Sequence, residues 1–252
     1  MIKIENLFKE FPLNKEQKKE RNTSDKFASA AEDVSFNCNP GEVFSLLGPN
    51  GAGKTTILRM LSTVIQPSSG SIEICGIDAI KYPREARKKI GFLTGSTGLY
   101  ARLSAHEIID YFASLYNVPQ ALLKERKSYL FDLLGMNDFA NKRIGKLSTG
   151  MKQKVSICRT MIHDPDVVIF DEPTSGLDVI TAESIIQLIR DCRDQNKTVL
   201  FSSHIMGEVD LLCDRLAIIH QGKLKHHGTM EDFRAQMTGK SLTGEFINIV
   251  QS

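Results

Sequence analysis

Gly48-Pro49-Asn50-Gly51-Ala52-Gly53-Lys54-Thr55-Thr56 is the stretch whose reading decides the fold. It carries the complete spacing of a phosphate-binding loop: glycine, four residues, glycine, lysine, then a hydroxyl side chain. The apolar run Val43-Phe44-Ser45-Leu46-Leu47 ahead of it reads as a buried strand. Ile57-Leu58-Arg59-Met60-Leu61 behind it reads as the first turns of a helix. Strand, loop and helix in that order are the context the motif requires. Glycines let successive backbone N–H groups turn inward around phosphate oxygens, and the helix start adds partial positive charge. Lys54 then reaches the terminal phosphates, and the Thr55 hydroxyl is placed to ligate Mg²⁺. An ordinary glycine-rich turn with an incidental lysine is the competing reading, and the full spacing and context weigh against it. A nucleoside-triphosphate site is predicted.

The rest of the composition sets bounds. A chain of 252 residues suits one α/β domain with an inserted subdomain. Thirty-two basic against 30 acidic residues leave a net charge of +2, so no nucleic-acid partner is expected. No apolar run approaches the ~20 residues of a membrane helix, and the N-terminus opens on a charged, strand-like segment rather than a signal peptide. The 5 cysteines form no CxxC pair, which fits core or surface thiols in a reducing compartment. A cytosolic protein is expected.

Working outward from the loop, Ile2–Leu7 alternates like a half-buried strand, and the polar segment 14–25 reads as a solvated, mobile loop. Regular structure resumes near Val34-Ser35-Phe36. Gln66–Gly70 breaks the chain, Ser71–Ile74 alternates again, Pro83 starts a short helix, and Ile90–Leu93 is the next strand. Ser104-Ala105-His106-Glu107 is a capping box before the apolar stripe Ile108, Ile109, Phe112 and Leu115. A second helix follows Pro119. From residue 166 strands and helices alternate again: strand 167–170, helix 179–193, strand 198–202, helix 206–213, and a hairpin turning at Gln221-Gly222. The last dozen residues look polar and uninformative. The expected organisation is a single domain 1–252, with a core of 1–93 and 166–252 and a helical subdomain of 94–165.

Carboxylates gather at a strand end. Val167-Val168-Ile169-Phe170 runs into Asp171 and Glu172, at the carboxyl edge where open α/β sheets bind ligands. Phosphoryl transfer needs one carboxylate on the metal shell and a second group to activate water; Asp171 suits the first role and Glu172 the second. A plain acidic cap before Pro173 is the alternative. Thr198–Ser203 repeats the pattern and puts His204 just past another strand, as a γ-phosphate contact or as a structural histidine. Leu147-Ser148-Thr149-Gly150-Met151-Lys152-Gln153 opens a helix, with either an anion site or an ordinary cap at its start.

Taken together, Gly48–Thr55, Leu147–Gln153, Val167–Glu172, Ser175-Gly176-Leu177-Asp178 and His204 resemble the ATP-binding-cassette ATPases. The resemblance spans nearly the whole chain except 13–29 and the tail, with Thr149 where a second glycine is usual. It implies a P-loop NTPase fold: a mixed or parallel sheet core, N-terminal antiparallel strands and an inserted α-helical subdomain. It implies ATP and Mg²⁺ as cofactors, and a homodimer sandwiching two ATP molecules. In that dimer Ser148 and Gly150 of one subunit would contact the γ-phosphate held by Lys54 of the other, with Asp178 at the seam, and Gln153 would belong to the cofactor-binding set. Phe11 matches the aromatic position that stacks on adenine, and an edge residue would look the same.

Gly91-Phe92-Leu93 with Gly98-Leu99-Tyr100-Ala101-Arg102-Leu103-Ser104 is similar to bacterial export cassettes, NatA-type sodium-export ATPases among them. That similarity implies an ATPase on the cytoplasmic face of the membrane, serving a separate permease. A cassette for drugs, lipids or polysaccharides, or a soluble ABC ATPase, are the alternatives. One departure stands out: the family's glutamine after the strand at 90–93 aligns with Gly95. Only Thr55 and Asp171, the latter through water, are then expected at the metal, with Thr94, Ser96 and Thr97 as nearby rivals.

Overall fold

The computed structural model describes the chain except residues 21, 96, 97, 238, 240 and 252 and the side chain of residue 20. In chain order come β1 Ile2–Pro12, α1 Lys15–Glu20, β2 Phe27–Cys38, β3 Val43–Leu47, α2 Lys54–Leu61, β4 Ser69–Ile74, β5 Ile77–Asp78, α3 Pro83–Lys89 and β6 Ile90–Leu93. A helical run follows: α4 Ala105–Leu115, α5 Gln120–Leu133, a 3-10 turn Ile144–Lys146 and α6 Thr149–Met161. The chain then alternates through β7 Val167–Asp171, α7 Val179–Asp194, β8 Thr198–Ser203 and α8 Met206–Leu212. It ends with β9 Arg215–His220, β10 Lys223–Thr229, α9 Met230–Gln236 and α10 Leu242–Gln251.

Among the described residues the strands join in the order β5-β4-β1-β2-β10-β9-β3-β8-β7-β6. The β1, β2, β4, β5 end is antiparallel, whereas β3, β6, β7, β8 and β9 run parallel. The sequence explains the split. β3, β7 and β8 are almost uninterrupted apolar runs and bury both faces. Alternate side chains feed two cores: Val43, Leu47, Phe170 and Phe201 meet the helices α4 to α7, while Phe44, Leu46, Ile169 and Leu200 meet α2 and the antiparallel strands. Each such side chain contributes about 1.5–3 kcal/mol by burial. This double cover holds the carboxyl ends of β3, β7 and β8 in fixed register.

α4 starts as its sequence predicts. Ser104 Oγ accepts the Glu107 N–H at 3.2 Å, and Glu107 Oε2 accepts the Ser104 N–H at 2.7 Å.

Three expectations need correction. The polar 14–25 segment is not a plain loop: it contains α1, begun by a reciprocal cap between Asn14 and Gln17 at 2.8 and 3.0 Å. β2 begins at Phe27, not near Val34, because Phe11 and Pro12 pair with Ala28 and Phe27 across the antiparallel ladder. The tail is helical. In α10, Leu242, Phe246, Ile249 and Val250 recur at helical spacing and pack against the core.

Candidate functional site

The loop that opens α2 is shaped by close backbone contacts. A Cβ on Gly48 would stand 2.3 Å from Ile219 O, and one on Gly53 (φ +108°) 2.2 Å from Ala30 O. Only glycine fits either place. α2 begins at Gly53 without a side-chain cap, so its first N–H groups face outward for an anionic ligand. Lys54 is buried, with Nζ donating to Gly48 O at 2.6 Å and Pro49 O at 3.1 Å. Burial pulls its pKa below the ordinary value, against the nearby Glu172 and Asp171 carboxylates, which raise it. The ammonium is thus held on the loop's own carbonyls.

Strand register brings the acidic groups to this loop. Leu47 pairs with Ser203, and Asp171 pairs with Ser202, so the ends of β3, β8 and β7 lie side by side. Thr55 Oγ1 donates to Asp171 Oδ1 at 3.2 Å, and Ser202 Oγ donates to the same oxygen at 2.8 Å. The Glu172 N–H is shared by Ser202 O at 3.2 Å and Ser202 Oγ at 3.1 Å. Glu172 sits at φ +50°, a left-handed conformation that a non-glycine side chain adopts at a cost of about 1–3 kcal/mol. That geometry turns its carboxylate to His204, whose Nδ1 is 3.4 Å from Glu172 Oε2.

Two cavities meet at Thr55 and Glu172. One, about 550 Å³, runs from Lys54, Thr55 and Thr56 to Phe11 and Gln17. The other, about 410 Å³, contains Thr55, Gly95, Gln153, Asp171 and Glu172. Both are of ordinary ligand-site size. The Thr55 hydroxyl and the Asp171 carboxylate are hard oxygen donors 3.2 Å apart, a set that suits Mg²⁺ completed by phosphate oxygens and water. Among the described residues no three His, Cys, Asp or Glu side chains gather as a metal cluster. Ser96 and Thr97 lie outside the described residues. A Cβ on Gly95 would meet nothing within 4 Å.

Of the remaining predicted residues, Gln153 and Phe11 line these cavities and Ser148, Gly150 and Asp178 do not. Ser148 caps α6 by accepting the Met151 N–H at 3.2 Å, and it lines neither of those cavities, nor does Gly150. Gln153 Nε2 donates to Pro173 O at 3.2 Å, tying α6 to the segment after Glu172. Asp178 caps α7 through the Thr181 N–H and hydroxyl, both at 2.9 Å, and these bonds hold its carboxyl below the usual range. Beside it Val179 and Ile180 are 85% and 81% exposed. Phe11 stands at the far end of the larger cavity from Glu172's strand, partly exposed. Sequence reasoning missed Ser202. It is a hydroxyl at the end of the apolar run 199–201, paired directly with Asp171.

A family model described as ABC transporter matches residues 31–175, more than half of the chain. The ABC transporter ATP-binding protein NatA of Bacillus subtilis (strain 168) is 43% identical over 224 residues, 88% of this chain and 91% of that protein. The chain belongs to the ABC transporter family. The cassette is also 34% identical to the linearmycin resistance ATP-binding protein LnrL of Bacillus subtilis, over 83% of its own length and 67% of that protein. A solved ATP-binding subunit of an ABC transporter superposes with a TM-score of 0.86 at 26% identity and covers 99% of both chains. A second, shorter match spans residues 141–210 and is to a model described as AAA domain, putative AbiEii toxin, Type IV TA system. The cassette is an ATPase of the ABC transporter family.

Proposed function

We propose that this cassette drives the export of sodium through a separate integral-membrane permease, working as a homodimer on the cytoplasmic face. The observation that carries the catalytic part is the convergence of Lys54, Thr55, Asp171, Glu172 and His204 at three adjacent strand ends. Lys54 and the loop N–H groups hold the β- and γ-phosphates. Thr55 and Asp171 are the residues that would hold Mg²⁺, which, when bound, neutralises charge on the transferring phosphoryl group. Glu172 takes the proton of the attacking water, and His204, 3.4 Å from it, contacts the γ-phosphate. Phe11 stacks on adenine.

Dimerisation is supported by what the monomer leaves unused. Ser148 and Gly150 line neither cavity, although Thr149 between them borders the one that holds Thr55 and Glu172, and Val179 and Ile180 form an apolar pair in solvent beside Asp178. Docking a second copy head to tail would bring Ser148 and Gly150 to its phosphates and cover that pair, while Gln153 serves the site of its own chain. The segment 94–165 then moves as a helical subdomain against a core of 1–93 and 166–252. No helix among the described residues is long and apolar enough to cross a membrane, and a separate permease would supply the transport path. Sodium as cargo follows from the resemblance to NatA, whose identity of 43% exceeds the 34% of the linearmycin resistance protein.

The test is ATP-dependent sodium uptake by inside-out vesicles carrying the cassette and its permease. Uptake abolished by Lys54→Ala supports the proposal. ATP turnover without sodium movement, or with movement of an added antibiotic instead, overturns the cargo.

A further inference from the structure

The segment 13–29 lies outside the motifs discussed above, yet it borders the same cavity. Its ends are tightly placed. Ala30 presses against Gly53 of the phosphate loop, and Gly222, also packed on Ala30, donates its N–H to Ala52 O at 2.9 Å and accepts the Glu32 N–H at 2.7 Å. The β1–β2 tip is therefore keyed to the loop and holds a fixed distance from it. Beyond the tip the Leu13 N–H donates to Lys26 O at 2.8 Å, closing the ladder, and α1 stands on top. Leu13 and Gln17 both line the 550 Å³ cavity beside Phe11. The Phe11 ring carries Lys9 Nζ 5.1 Å from its centroid, which leaves its opposite face for a flat partner.

Gln17 has a defined orientation. Its Oε1 accepts the Asn14 N–H at 3.0 Å, which a carboxamide nitrogen would not do. The Nε2 group is thereby turned out, with no hydrogen-bond partner among the described residues.

We propose that the 13–29 segment is a base-side wall of the nucleotide site, in which Gln17 Nε2 donates to a ring nitrogen of adenine and Leu13 covers the ring edge. This rests on reading the cavity as the ATP site. The segment acts on the base end alone, because Leu13 and Gln17 follow Phe11 at the β1–β2 tip, whose pair Phe11–Ala28 lies two residues beyond Ala30, the residue pressed on Gly53. It adds purine affinity to a loop that by itself grips only phosphate.

Two variants test it. Gln17→Ala changes one exposed side chain. In the second, 14–25 is replaced by Asn-Gly, a two-residue hairpin turn joining the already paired Leu13 and Lys26. ATP and inorganic tripolyphosphate are titrated against each purified chain by calorimetry. Gln17→Ala should weaken ATP about five-fold, the worth of one neutral hydrogen bond, and the excision roughly ten-fold or more. Tripolyphosphate affinity should stay within about two-fold of the parent in both. Unchanged ATP affinity overturns the proposal. Parallel loss of ATP and tripolyphosphate overturns it as well, since the segment would then be supporting the phosphate loop. If the parent chain itself binds neither ligand, the cavity is not the ATP site and both readings fall together.

Discussion

Ser202 Oγ donates to Asp171 Oδ1 at 2.8 Å, the same carboxylate oxygen that the Thr55 hydroxyl reaches at 3.2 Å. A side chain buried in β8 thus fixes the rotamer of the acid on β7 and presents it to the phosphate loop. Ser202 also receives the Glu172 N–H, so one hydroxyl orients both carboxylates.

Ser202→Ala is therefore expected to loosen the site more than the fold. The Glu172 N–H keeps Ser202 O as a partner, so the stability loss should be about 1 kcal/mol, the low end for a broken buried hydrogen bond. The Mg²⁺ concentration giving half-maximal ATPase should rise. A thermal melt and a magnesium titration check both numbers, and an unchanged magnesium requirement would show that Asp171 needs no such support.

Gly95 gives a second expectation. Nothing lies within 4 Å of a Cβ built there, and its cavity also holds Thr55 and Asp171. Gly95→Gln should fold with an unchanged melting temperature and place an amide oxygen within reach of a metal at Thr55. The expected result is a lower Mg²⁺ requirement with little change in ATP affinity. A melting temperature several degrees lower would mean that the backbone at 95 needs glycine for itself.

His163 makes acid stability predictable. Its Nε2 meets Ile90 O at 3.1 Å and its ring stacks on Tyr116 with centroids 3.9 Å apart, while Nδ1 is buried with no hydrogen-bond partner among the described residues. Burial pushes its pKa from 6.5 down to about 4; the backbone carbonyl and Asp164 oppose the shift, and Arg126 and Lys197 add to it. The unfolded chain takes up a proton near pH 6.5, and the folded chain only near pH 4. Stability is thus fully present above pH 6.5 and is lost as pH falls toward 4, by up to ~3 kcal/mol from this group. His163→Phe keeps the stack and removes the titration, so the parent's urea midpoint should fall more steeply than the variant's as pH drops from 7 to 5. Parallel midpoint curves would contradict the assignment.

The loop, the buried strands and the Ser104–Glu107 cap were legible because each is written in a few neighbouring residues. Phosphate-loop spacing and helix caps are local chemistry. The start of β2 was not legible, because Phe27–Asp33 is short of large apolar side chains and is held as a strand by pairing with β1, a partner 15 or more residues away. α1 was hidden by its charge: with few apolar groups its sequence resembles a solvated loop, and only the Asn14–Gln17 exchange marks its start. α10 did carry a signal in Leu242, Phe246, Ile249 and Val250, overlooked among polar neighbours. At the site, Lys54, Asp171 and Glu172 were found from spacing. The role of Ser202 needed the register of β7 against β8, which no local pattern encodes.

In the proposed mechanism Glu172 activates water while the other groups bind and position ATP. Glu172→Gln keeps the size of the side chain and removes its basicity. The decisive measurement is single-turnover hydrolysis of Mg-ATP by this variant, with ATP affinity measured on the same sample. The account predicts ATP affinity within about three-fold of the parent and hydrolysis slower by ~10²–10⁴-fold, the usual worth of a general base. Hydrolysis at the parent rate with ATP bound would contradict it.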